Sequence, residues 1–230
     1  MKHTIIVFLL GLITITACYK ERECGGGITT LGTLYLLPSS REVFPYETGI
    51  KAIEFTDSQG QTDNYEVVQD TLRFFPSVFD SKCGDKEKYY PYTAGEENRI
   101  VEIYSKAADR RFKVQLYTGL DREFANQLLL ADYMRVDLGV PPSQSNTNAW
   151  EWEALLRLVI DPRTDPEAES DPTNFYPKLE LNGQTFYQVY EKEMDASADV
   201  SRIYFNFEFG LIGFTNSKDG NSYSFDQIIY

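Results

Sequence analysis

The sequence predicts a mainly β protein: an antiparallel meander, a sandwich or a partly open barrel, with few short helices. Three observations carry this. The 230 residues include 16 Tyr and 15 Phe against 2 Trp, a composition that suits pleated, half-buried surfaces better than helices. Short runs alternate apolar and polar residues with the period of two that sends successive side chains to opposite faces of a strand. Between those runs stand clusters of Gly, Asn, Asp and Ser, the residues that turns require.

Each element follows from these signals. Gly49 to Thr56 (GIKAIEFT) alternates, Asp57-Ser58-Gln59-Gly60-Gln61 turns, and Tyr65 to Val68 returns as a second strand. Arg99 to Ser105 (RIVEIYS) and Arg111 to Tyr117 (RFKVQLY) form another pair, joined through Lys106 to Arg110. Gln127 to Leu138 and Trp150 to Ile160 are apolar on both faces, and periodicity alone does not separate strand from helix there. Strand is the preferred reading. Leu179 to Leu181 and Phe186 to Tyr190 flank Asn182-Gly183, the strongest short hairpin signal. Arg202 to Phe209 (RIYFNFEF) reads as one strand, broken by Gly210 and continued by Leu211 to Thr215. Asn216 to Asn221 turns, and Tyr223 to Ile229 closes the chain. The polar, proline-led stretch Pro141 to Asn148 divides two β-rich halves, 41–140 and 149–230, which form either two domains or one continuous one.

The N-terminus has a different character. Lys2 precedes the apolar run Ile5 to Ile15 (IIVFLLGLITI), and the small residues Thr16 and Ala17 follow. A helix needs about 20 residues to cross a bilayer, so this shorter run reads as the hydrophobic part of an export signal over residues 1–17. Ile15-Thr16-Ala17-Cys18 resembles the lipobox of bacterial lipoproteins. That resemblance implies cleavage before Cys18, diacylglycerol on its thiol and, usually, an acyl chain such as palmitate on its new amino group. Tyr19 stands where Asp would retain many lipoproteins in the inner membrane, which implies the outer membrane. Lys20-Glu21-Arg22-Glu23 is similar to the surface-export tag of Bacteroidota lipoproteins, and residues 18–40, with Gly25 to Gly27, read as a lipidated tether.

Charge and composition exclude several functions. With 22 Lys and Arg against 35 Asp and Glu, the net charge is −13, and loss of Lys2 with the signal makes it 21 − 35 = −14. Such a chain repels nucleic acid and anionic head groups. The single histidine is His3, within the export signal, so the remainder lacks a Ser-His-Asp or Cys-His arrangement and any histidine-ligated metal. Neither GxxxxGK[ST] nor a strand-to-helix GxGxxG occurs, so no cofactor is implied. An enzyme would have to rely on carboxylates, as glycoside hydrolases do. Glu96, Glu97, Glu151, Glu153 and Glu180 are candidates, but so many acids read first as a solvated surface.

Three further features merit placement. Cys24 and Cys83 remain once Cys18 is lipidated, and an oxidising compartment would permit a disulfide between them. Asp161, Asp165, Glu167, Glu169 and Asp171 form the densest acidic stretch; it offers hard oxygen ligands for Ca²⁺ but lacks the EF-hand order and glycine, and a solvated loop is preferred. Trp150 and Trp152, two apart, share one face of a strand and would make a ring-stacking platform for sugars if exposed, or ordinary core if buried.

Phe44-Pro45-Tyr46, Gly49, Ile53-Glu54-Phe55 and the Asp57-Ser58-Gln59-Gly60 turn resemble an N-terminal unit of Bacteroidota lipoproteins with no assigned activity. Phe209-Gly210-Leu211-Ile212-Gly213-Phe214 is similar to their closing hairpin. The resulting expectation is a lipid-anchored outer-membrane protein, non-enzymatic, with a membrane contact through Cys18 and an envelope protein as partner. A glycan- or calcium-binding module is the alternative, and a carboxylate-dependent hydrolase a third.

Overall fold

The computed structural model describes residues 29–83, 86–124, 127–142, 149–165, 168–171, 173–194 and 199–230. The chain divides into two compact units, residues 1–31 with 78–93, and residues 32–77 with 94–230. The described backbone of the first is extended strand, within which the Thr93 hydroxyl donates to that of Thr30. All that follows concerns the second.

The elements are β1 (Thr29–Leu34), α1 (Pro38–Glu42), β2 (Ala52–Asp57), β3 (Thr62–Cys83), β4 (Lys86–Ser105), β5 (Arg110–Phe124) and β6 (Gln127–Val140). They continue as β7 (Glu151–Asp161), β8 (Asn174–Leu181), β9 (Gln184–Glu193), β10 (Val200–Asn206), β11 (Gly210–Asn216) and β12 (Ser222–Ile229). The protein is mainly β, and its strands form one sheet in the order β7-β6-β5-β4-β3-β2-β12-β11-β10-β9-β8, with β1 added beside β4. Two meanders, β2 to β7 and β8 to β12, thus run outward from a central seam where the last strand pairs antiparallel with β2, Phe225 opposite Phe55. Of the run from Trp150 to Ile160, Glu151 onward is strand, paired with β6 from Asp132↔Asp161 to Val140↔Glu151. Residues 143–148 of the polar stretch lie outside the described residues, and the halves on either side of it share this one sheet.

The sheet is curled and open. Phe112 on β5 and Phe214 on β11 meet with ring centroids 5.0 Å apart, and Tyr65 on β3 reaches Phe214 at 6.1 Å. These strands contribute their inward residues to one core, with Phe55, Phe112, Leu116, Val136, Leu156, Ile203 and Phe205 essentially removed from solvent. The connection from β7 to β8 runs between the two edges of the sheet. Asp171 donates its N–H to Arg157 C=O and accepts the Arg157 N–H on its carboxylate, and Ser170 accepts from Val159 N–H. Asp171 also pairs with Lys192 of β9 at 2.7 Å, so the connection satisfies backbone groups on the β7 edge that would otherwise invite another strand.

Local chemistry sets the hairpins. Asp57 Oδ1 accepts the N–H groups of both Gln59 and Gln61, an Asx-type turn. Asn182 and Gly183 carry φ of 48° and 82°, as the tight two-residue hairpin demands. One expectation changes. Arg202 to Phe209 is not a single strand: β10 stops at Asn206, whose side chain accepts the Phe209 N–H at 2.8 Å and turns 207–209 away from the ladder. Gly210 follows at φ 82°, where a Cβ would overlap the Tyr46 hydroxyl. The alternation of aromatics persisted through the turn and concealed it.

Candidate functional site

The segment between β1 and β2 creates a groove. It enters α1 through Leu37, which has no side chain able to cap the helix, and Pro38 supplies the fixed φ that suits the first helical turn. The backbone donors that lead into the helix are met from the sheet. Glu97 of β4, 2% exposed, accepts the Leu36 N–H at 3.1 Å and pairs with Arg41 of α1 at 2.5 Å. Asp132 of β6, wholly buried, accepts the Leu37 N–H at 3.0 Å and the Thr118 hydroxyl at 2.9 Å, with Arg163 at 3.4 Å. Arg163 also donates to Tyr35 C=O. Two buried carboxylates therefore hold the approach to α1 against the sheet. Removing either would strand backbone donors away from water.

Beneath and beside α1 lies a groove of about 570 Å³. Glu97, Arg99 and Leu116 contribute from the sheet, Tyr35, Phe44 and Tyr46 from the segment around α1, and Leu72 and Phe74 from β3. Tyr35 and Phe74 meet edge to face at 5.8 Å, yet each is at least half exposed, as is Leu72. Arg99 pairs with Asp70 and lies 5.6 Å from the centre of the Phe44 ring. Its Nη2 is buried and finds no hydrogen-bond acceptor among the described residues. Glu42 and Glu47 stand exposed on the rim. Since Arg41 and Arg99 are matched by Glu97 and Asp70, these two leave the groove with surplus negative charge. Tyr46 at its base accepts the Leu211 N–H at 2.9 Å, and burial pushes its phenol well above the ordinary tyrosine range.

Of the candidate site residues singled out from sequence, Glu97 lines this groove; the other described ones lie elsewhere. Trp150 and Trp152 are half-buried and flank Arg111, whose guanidinium lies 5.7 Å from each ring, while Lys113 sits 4.3 Å over Trp152. Arg111 in turn pairs with Glu102 at 2.6 Å, and Lys113 with buried Asp137 at 2.8 Å. These cations of the chain itself occupy ring surface that a platform would present. In the acidic stretch, Asp161 Oδ1 accepts the Arg163 N–H, Asp171 joins Arg157 to Lys192, Asp165 is buried and Glu169 is exposed. Glu167 lies outside the described residues. No group of three or more His, Cys, Asp or Glu fit to hold a metal occurs among the described residues. Cys18, Cys24 and the Cys83 side chain also lie outside them. The carboxylates considered for catalysis fall on different strands, Glu96 and Glu97 on β4, Glu151 and Glu153 on β7, Glu180 on β8.

Tyr35, Leu72, Phe74, Arg99 and Asp132 were not legible as site residues. Leu72 to Phe75 is an apolar run interrupted by Arg73 alone, and it was the one available hint. No helix among the described residues is long and apolar enough to cross a membrane. No protein-family model matches the chain, and neither a curated protein nor a solved structure matches it.

Proposed function

We propose that this protein is a lipid-anchored outer-membrane lipoprotein that acts by binding rather than catalysis, and that its groove receives a basic, apolar segment of another envelope protein. The observation carrying this reading is the exposed Tyr35–Phe74 contact with Leu72 beside it, set against an acidic rim. An exposed apolar patch rimmed by polar residues marks an interaction site. Aromatic anchors in a preformed depression supply most of the affinity in such interfaces. The surplus charge of Glu42 and Glu47 selects lysine or arginine in the partner, and the overall charge of −13 steers the same choice at longer range. Arg99 Nη2 supplies a donor for a carbonyl of the bound chain.

The reading is tested with fluorescent peptides that combine Leu or Phe with Lys or Arg, compared with acidic peptides of equal hydropathy. Basic peptides should bind and lose affinity as salt rises. Glu42→Lys with Glu47→Lys should weaken them, and Phe74→Ala should weaken them further. Equal binding of the acidic set, or indifference to charge reversal, would overturn it.

A further inference from the structure

A second cleft, of about 490 Å³, opens where β9 departs from regular strand geometry. Along β9, Phe186 is buried, Tyr187 and Gln188 are both exposed, and Val189 is buried again. Regular strand geometry is interrupted here by a local departure. Gln188 supplies it with φ 52°, a left-handed conformation that a residue with a Cβ adopts only at a cost. Pro177 explains where this happens. The β8–β9 register pairs Tyr176 with Val189 and Lys178 with Tyr187, which places Pro177 opposite Gln188, and proline has no N–H to give the ladder. On the other side, the described β9–β10 register runs only as far as Phe205↔Tyr190. Gln188 is thus held by neither neighbour.

The cleft is nonetheless fixed. Asn206, 1% exposed, donates to Tyr187 C=O at 3.3 Å and accepts the Phe209 N–H at 2.8 Å, joining its two walls. Phe175 and Phe207 both pack on Tyr190, at 5.2 and 5.6 Å, which steadies two further rings. Phe175 and Tyr187 remain more than half exposed, and Gln188 and Glu208 face solvent beside them.

We infer that this cleft is a saccharide-binding site, in which Phe175 and Tyr187 stack on a neutral sugar ring while Gln188 and Glu208 hydrogen-bond its hydroxyls. A sugar ring presents an apolar face of C–H bonds that matches exposed aromatic surface. Its hydroxyls each donate and accept, which a primary amide answers with both functions and a carboxylate with acceptors. Convergent polar groups around an aromatic depression of this size are what small-molecule sites share. The acidity of the chain and Glu208 in the lining exclude uronic and other anionic sugars.

The test is calorimetric titration of the full-length protein with maltohexaose, cellohexaose and mannohexaose, with hexagalacturonate as the anionic control. Saturation-transfer NMR on the same sugars reads the stacking directly. A neutral oligosaccharide should bind at millimolar concentration or below, with transfer concentrated on ring C–H protons. Tyr187→Ala should weaken it on the order of tenfold. Gln188→Gly accepts the left-handed backbone without strain, so it should keep or raise the melting temperature while lowering affinity several-fold. Glu42→Lys with Glu47→Lys should leave this binding unchanged, which separates it from the groove beside α1. Absence of binding by all three neutral sugars overturns the inference. So does affinity untouched in both cleft variants, or hexagalacturonate binding as tightly.

Discussion

Phe112 and Phe214 lie with ring centroids 5.0 Å apart, although five strand-to-strand steps separate β5 from β11 in the sheet. At about 4.8 Å per step a flat sheet would hold them roughly 24 Å apart. The contact therefore measures the curl, and with Tyr65 and Phe55 it builds the aromatic centre of the core. Arg110 lies 4.9 Å over the Phe214 ring and donates to Tyr65 Oη, so a cation is enclosed on the same rings.

Phe214→Ala should cost about 3–5 kcal/mol in urea unfolding, as large-to-small changes of a buried phenylalanine do. The sharper measurement is a double-mutant cycle with Phe112→Leu and Phe214→Leu. A coupling of about 0.5–1.5 kcal/mol is expected for rings in this contact. Additive losses would mean that the two meanders do not meet across the concave side.

The two carboxylates behind α1 should differ in cost. Asp132→Ala removes one acceptor from Leu37 N–H and Thr118 and leaves Arg163 without its carboxylate. Breaking a buried charged cluster in this way costs about 3–5 kcal/mol. Glu97→Gln keeps an acceptor for Leu36 N–H and loses only the charge opposite Arg41, which is 49% exposed. Solvent screens that pair, so a loss below about 1 kcal/mol is expected. Reversal of this order in denaturant titrations would show that Asp132 does not anchor the segment.

Alkaline stability follows from the buried phenols. Desolvation raises Tyr46, with the Leu211 N–H opposing it, and desolvation raises Tyr65, with Arg110 opposing it. A raised folded-state value means that the native protein binds protons the unfolded chain has released. The contribution is whole below the unfolded tyrosine value of about 10 and is lost as pH rises beyond it. The melting temperature should fall above about pH 10, and the fall should be shallower in Tyr65→Phe, which has one fewer group to ionise. Equal slopes for the two proteins would exclude Tyr65 as a source of the loss.

Much of this fold was legible because its hairpins announce themselves locally. Asn182-Gly183 sets a turn by its backbone preferences alone, and Arg111–Tyr117 alternates cleanly because one of its faces is core. The Asn206 turn was missed because Phe205, Phe207 and Phe209 keep the period of a strand through it, and only the side-chain bond from Asn206 to Phe209 N–H ends the ladder. The groove was illegible for a different reason. Glu97 and Asp132 are separated from Leu36 and Leu37 by 61 and 95 residues, so nothing near either acid distinguishes it from the other acidic residues. Gln188 carried no signal either, since only the pairing of β8 with β9 sets Pro177 opposite it.

The proposed anchor is open to direct test. Growth with a palmitate analogue should label the wild-type protein, and Cys18→Ala should abolish the label. The variant should also leave the membrane fraction, because burial of each acyl CH₂ contributes roughly 0.8 kcal/mol and stable attachment needs more than one chain. The acidic domain would oppose any residual adsorption to anionic lipid, since its charge has the same sign as the surface. Release should therefore be nearly complete even at low salt, where electrostatic adsorption would otherwise be strongest. A variant that keeps both its label and its membrane association would place the lipid on another residue and remove the basis for the export reading.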